Sequence, residues 1–149
     1  MEIKVAKYCG FCYGVKRAVE LAQKAASEHV NGATLGPLIH NPQLIAELAA
    51  QGIACKDSLE QFAPGETVIF RSHGVGPEVY EQAEEKGLTI MDATCPNVRL
   101  AQKKAAEAAA DGYFPIIVGE KNHPEVKSIL KWAGKNAICV ECIKDISYV

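Results

Sequence analysis

Four times in this chain a short β-forming run passes, within a few residues, into a helix that opens with proline. The runs are 34–35, 67–70, 89–91 and 115–118, and the prolines are Pro42, Pro77, Pro96 and Pro124. Proline suits the first helical turn, where its missing N–H costs nothing, and it breaks a helix further in. Each handover from strand to helix is therefore pinned. Strands and helices that alternate in this way specify an α/β fold, with mainly parallel sheets flanked by helices. The handovers also hold the reactive side chains: His40-Asn41, Arg71-Ser72-His73-Gly74, Asp92-Ala93-Thr94-Cys95 and Asn122-His123. A fifth such place, Gly10-Phe11-Cys12, follows a strand expected at 3–6. Open α/β sheets bind ligands at the carboxyl ends of their strands. The five places are expected to meet at one site with Cys95 near its centre, where the stretch from Thr89 ends as a strand.

The remaining elements follow from periodicity and punctuation. Helices are expected at 14–26, 42–50, 77–86, 98–110 and 124–133, with further strands at 53–55 and 137–140. Val15, Ala18, Val19, Ala22 and Ala26 form one apolar face of the first helix. The turn at Cys95-Pro96 divides the chain into a first α/β unit, 1–96, and the start of a second, 97–149. The repeated strand–His/Cys–helix unit hints at an internal structural repeat.

With 149 residues, 48% of them hydrophobic and 23% charged, the chain can bury an ordinary core. A net charge of -2 gives no electrostatic footprint for nucleic acid, so an anionic ligand must be held by local groups. Apolar runs are too short to cross a bilayer, and the first residues resemble neither a signal peptide nor a transit peptide. A cytoplasmic protein is expected. Its six cysteines then call for metal binding, redox work or burial rather than disulfides.

Of the four histidines, His29 sits at a helix end, where an imidazole commonly meets the last carbonyls. His40, His73 and His123 each follow a strand and precede a helix start. Helix N-termini present unpaired N–H groups and partial positive charge, and a histidine adds a donor that can become cationic. Three of them together suit a phosphate or diphosphate. Singly, each reads as a cap or a solvated loop residue. Glu125, in the first turn after His123, either complements the helix dipole or delivers a proton beside the anion.

Cys9-Gly-Phe-Cys12 reads alone as a thioredoxin-like redox pair. Cys139-Val-Glu-Cys142 is a second such pair, but it lies far beyond the roughly 15–20 residues that separate the two pairs of a zinc ribbon. Packing is the expected role of Cys139 and Cys142, and Cys55 is expected in the core. The residues alone point to a phosphate-binding α/β protein with functional thiols.

Five ordered motifs, Gly10-Phe11-Cys12-Tyr13-Gly14-Val15, Ile39-His40-Asn41, Arg71-Ser72-His73-Gly74, Asp92-Ala93-Thr94-Cys95-Pro96 and His123-Pro124-Glu125-Val126, resemble those of the 4-hydroxy-3-methylbut-2-enyl diphosphate reductase (LytB/IspH) family. The resemblance spans essentially the whole chain. It implies three similar α/β units around a central 4Fe-4S cluster, of which this chain carries the first one and a half. It also implies reductive removal of the substrate's hydroxyl to give isopentenyl and dimethylallyl diphosphate, the last step of the non-mevalonate isoprenoid pathway. Cys12 and Cys95 would then be cluster ligands. His40 and His73 would hold the diphosphate, His123 would sit by the substrate's hydroxyl end, and Glu125 would supply the proton that lets the hydroxyl leave as water. A ferredoxin or flavodoxin is the implied electron donor, and neither nucleic acid nor membrane is a partner. The family's third cluster cysteine and its later Ser/Asn/Thr substrate contacts have no counterpart here, so the chain is expected to be an N-terminal portion that is inactive alone. Cys9, Cys139 and Cys142 match no implied ligand. Two other readings stay open: a thiol–disulfide oxidoreductase using Cys9 and Cys12, and a non-catalytic metal- or anion-binding fragment.

Overall fold

The computed structural model describes residues 1–148. Helix α1 (Tyr13–Ser27) is followed by strand β1 (Gly32–Leu35), α2 (Pro42–Ala50), β2 (Ala54–Lys56), β3 (Thr67–Phe70), α3 (Pro77–Glu85) and β4 (Thr89–Asp92). Then come α4 (Pro96–Ala110), β5 (Ile116–Val118), α5 (Pro124–Ala133) and β6 (Ile138–Val140). Short 3-10 turns at Leu59–Gln61 and Ile143–Tyr148 complete the chain. The first sheet has the order β2-β1-β3-β4, and β5 and β6 make a second. Every strand pairing is parallel. This is the α/β architecture expected from the alternation.

The core explains the order. All four residues of β3 are buried, because it is flanked by β1 and β4 and covered on both faces. Successive side chains point to opposite faces, so Ile69 joins Ala18, Ala22, Leu38, Leu44 and Leu48 on the α1/α2 side. Val68 and Phe70 join Phe62, Val75, Ala83 and Leu88 on the other. Alanine dominates the buried face of α1, which lets that helix lie close to the sheet. In the second part α4 packs against α5, and their buried residues include a polar pair, Gln102 and Ser128.

Five local expectations are corrected. Residues 3–6 form no strand and are exposed, since among the described residues no neighbouring strand pairs with them. The strand from Thr89 ends at Asp92, three residues before Cys95, because the Asp92 side chain accepts the Thr94 N–H at 2.9 Å and turns the backbone. Cys55 is exposed rather than core, because β2 is an edge strand. His29 ends its helix through its backbone, not its imidazole: it has a positive φ of 52° and its N–H donates to Ala26 at 3.0 Å. Of the second cysteine pair, Cys139 is buried in β6 as expected, but Cys142 is exposed and does not pack in the core, because it lies beyond the end of that strand.

Candidate functional site

The sheet order places β1 beside β3 at its centre, with the chain winding outward to β2 on one side and to β4 on the other. That is the switch point at which α/β sheets open a crevice at their carboxyl ends. The loops leaving β1, β3 and β4 meet there and are stitched by backbone bonds. Ser72 N–H donates to the Leu38 carbonyl at 3.2 Å, and Cys95 N–H donates to the Ser72 carbonyl at 2.9 Å. The Ser72 hydroxyl adds a second bond to Leu38, also at 3.2 Å.

This stitching brings three imidazoles together. Ring centroids lie 4.6 Å apart for His40 and His73, 5.5 Å for His73 and His123, and 6.0 Å for His40 and His123. One ring nitrogen from each lies within 4.8 Å of the others. His40 is exposed, directly before Asn41, whose side chain caps α2 by accepting Leu44 N–H at 3.0 Å. His123 is itself the N-cap of α5: its Nδ1 accepts Glu125 N–H at 3.3 Å, which leaves Nε2 to carry the proton of the neutral ring. His73 is half-buried, and its Nδ1 has no protein partner among the described residues. Burial, with His40, Arg71 and His123 close by, pushes the His73 pKa down to about 4. At neutral pH this ring is therefore uncharged until something negative offsets the burial and the neighbouring positive charge.

Why His123 reaches the first sheet is a matter of polar contacts that the sequence reading missed. The Ser128 hydroxyl on α5 lies 2.9 Å from the His73 carbonyl and 2.8 Å from the Glu125 carbonyl, and it accepts from Gln102 Nε2 at 3.2 Å. Trp132 Nε1 donates to the Val75 carbonyl at 2.9 Å. Gly74, between them, has a φ of +71°, and a Cβ there would overlap Gln102 Nε2 and sit 3.1 Å from Thr94 Cγ2. Only glycine lets the loop after His73 lie so close to α4. Ser128 and Gln102 carry a weak signal in the sequence: Gln102 lies one turn beyond Val98 on the inward face of α4.

The two thiols occupy matching positions. Cys12 is the N-cap of α1 and Cys95 the N-cap of α4, and neither helix has a side-chain cap there. A Cβ on Gly14 would overlap Cys95 Sγ and lie 2.9 Å from its Cβ, so the start of α1 rests directly on Cys95. Arg17 fastens the two from the next turn, donating to the Thr94 carbonyl at 3.1 Å and the Asp92 carbonyl at 3.3 Å. Asp92 also accepts from Tyr80 OH at 3.0 Å and pairs with Arg99. Its burial favours the neutral acid, but the bonds from Thr94, Arg99 and Tyr80 outweigh that and hold its pKa below the usual value. Cysteine sulfur is a soft ligand, so this donor pair suits an iron–sulfur centre. Among the described residues no third side chain joins Cys12 and Cys95 in a three-ligand group. The pair fits as part of a cluster's ligand set, not as the whole. Cys9 and Cys12 are both exposed free thiols. Glu125 is half-buried in the first turn of α5 and makes no ion pair among the described residues.

Comparison with known proteins gives the family and the fold. The LytB protein family model matches residues 3–149. The chain is 43% identical over 150 residues to the 4-hydroxy-3-methylbut-2-enyl diphosphate reductase of Aquifex aeolicus, covering 98% of this chain and 52% of that protein. It is 44% identical over 138 residues to the enzyme of the same name from Dehalococcoides mccartyi, covering 93% of this chain and 48% of the relative. Among solved structures, a reductase of this kind described as the terminal enzyme of the non-mevalonate pathway superposes with a TM-score of 0.85 at 43% identity, over 98% of this chain and 53% of that one. The Plasmodium falciparum E-1-hydroxy-2-methyl-but-2-enyl-4-diphosphate reductase gives a TM-score of 0.91 at 29% identity, over 94% of this chain and 44% of that one. The chain thus spans about half the length of the curated relatives it matches. With the family model matched over residues 3–149, the chain belongs to the LytB family.

Proposed function

We propose that this chain supplies the diphosphate pocket, the proton donor and part of the metal seat of a reductase. Its substrate is 4-hydroxy-3-methylbut-2-enyl diphosphate and its products are isopentenyl and dimethylallyl diphosphate. The observation that carries the reading is the convergence of His40, His73 and His123, with Cys95 bonded through its N–H to Ser72 in the loop that carries His73. Replacing the substrate's C–O bond by C–H takes two electrons and two protons and releases water.

His40 and His73 hold the diphosphate, and His123 stands at the hydroxyl end of the substrate. An arriving anion offsets the burial and repulsion that keep His73 neutral, so binding is coupled to proton uptake. Glu125 gives its proton to the departing hydroxyl, which is a poor leaving group until protonated. Cys12 and Cys95 would supply two of the ligands of a 4Fe-4S cluster, which when bound would supply electrons and Lewis acidity. The other ligands come from outside the residues described here, as do further substrate contacts. The chain is read as a first α/β unit, 1–96, and part of a second, 97–149, and alone it does not turn over. No described helix is long and apolar enough to cross a membrane. We place the reaction in the cytoplasm, with a ferredoxin or flavodoxin as donor.

The pocket is tested by titrating this chain with inorganic pyrophosphate in a calorimeter. Binding is expected, and His40→Ala or His73→Ala should each weaken it by about 1.5–3 kcal/mol, the worth of one charge-assisted hydrogen bond. Unchanged affinity in both variants would remove the histidines from the anion site.

A further inference from the structure

The three imidazoles also make a donor set that no diphosphate requires. We propose that His40, His73 and His123 form a binding site for a divalent transition-metal ion such as Zn(II) or Co(II), with one coordination position left open to solvent. The site is distinct from the thiol seat of Cys12 and Cys95.

The geometry is close to what such an ion needs. Each ring offers one nitrogen, and all three lie within 4.8 Å of one another. Zinc binds imidazole nitrogen at ~2.0–2.1 Å, which sets three tetrahedral ligands roughly 3.4 Å apart. The widest pair must therefore close by roughly 1.4 Å. The elements allow this: His40 is exposed, on the loop between β1 and α2, and the His123 ring makes one long bond of 3.3 Å. His73 is the fixed member, half-buried, with an Nδ1 that no described residue satisfies. The three ligands come from three separate elements, and His40 leaves the fourth direction open to water. Three histidines with one open position is a recurrent zinc arrangement. Imidazole ligands with no carboxylate among them select Zn(II), Ni(II), Cu(II) or Co(II) over Mg(II) and Ca(II).

Metal binding has a local signature. Whichever nitrogen of His123 takes the ion, its Nδ1 stops accepting Glu125 N–H: either the lone pair is used or that nitrogen becomes protonated. The cap of α5 must change. A nitrogen bound to metal also has no proton to donate, so the loaded pocket loses those hydrogen bonds to an anion.

The proposal needs only the imidazoles, not the reductase reading. Its test is a Co(II) titration of the metal-free chain, followed by optical spectroscopy and by the backbone amide resonance of Glu125. One Co(II) per chain is expected, with tetrahedral d–d bands, no sulfur-to-cobalt charge transfer, and displacement by Zn(II). The Glu125 amide should shift with the same saturation. His73→Ala and the exposed His40→Ala should each weaken binding tenfold or more, and His29→Ala should leave it unchanged. His40→Ala keeps the test decisive if His73→Ala does not fold. Charge-transfer bands abolished by blocking the thiols, retention of the nitrogen-only spectrum in both His variants, or no saturable binding would each overturn the proposal. Pyrophosphate titration of the metal-free chain is scored separately, so failure there counts against the anion pocket and not against the metal site.

Discussion

The histidine side and the thiol side of the crevice are built differently. The histidine side is crowded and braced: His73 is half-buried, its carbonyl is held by Ser128, and its loop is locked against α4 by Gly74. The thiol side is open. Cys12 is exposed and follows eleven exposed residues without regular structure, although Gly14 and Arg17 bring the start of its helix against Cys95 and Thr94. A pocket for an anion can be finished by two loops of one sheet and one helix cap. A seat for a metal cluster needs ligands from more directions than these elements supply.

The contrast can be tested one side at a time. The largest effect is expected at Glu125. In a protein of the relatives' full length carrying this sequence, Glu125→Gln should cut turnover by about 10²–10⁴-fold while iron content and pyrophosphate affinity stay unchanged. Lost iron would move Glu125 to the thiol side, and undiminished turnover would reduce it to a residue that complements the helix dipole. Next comes Gly14→Ala. Its methyl group overlaps Cys95 Sγ, and overpacking of this kind costs about 1–3 kcal/mol. Denaturant unfolding should show that loss and alkylation of Cys95 should change rate, while pyrophosphate binding stays put. An effect on both sides would mean that the crevice is one unit after all.

The smallest effect is a pH slope. The native pKa of His73 is about 4, below its ordinary 6.5, so the unfolded chain takes up this proton first as pH falls. The stability from keeping the ring neutral is whole above about 6.5, declines from there to about 4, and falls no further below. The difference in Tm between the parent and His73→Asn should shift against the parent over that interval. A difference that stays constant from pH 7 to 4.5 would show that His73 titrates normally.

Much of the scaffold was legible because its signals are local. Proline at the first turn and apolar spacing placed α2 and α5 at their observed bounds, and four consecutive β-formers placed β3. The convergence of the histidines followed from their shared position after strands, together with the rule for strand ends. The errors arose where the answer depends on distant neighbours. Cys55 sits in an apolar-looking run, yet β2 is an edge, and strand order is not written in the run itself. Ile3 and Val5 alternate like a strand but have no described partner. Arg17 reaches carbonyls 75 and 77 residues away, Ser128 reaches one 55 residues away, and nothing near either residue announces the contact.

The bond from Trp132 to Val75 has a use of its own. This is the chain's only tryptophan, and it is half-buried with Arg99 stacked 5.6 Å from its ring centroid. Its indole touches the backbone just past His73 and sits on the same helix as His123. Light emitted by that ring therefore reports whether α5 is seated on the first sheet. Undocking would expose the indole to water and redden its emission, so closure of the crevice can be followed in real time without a label.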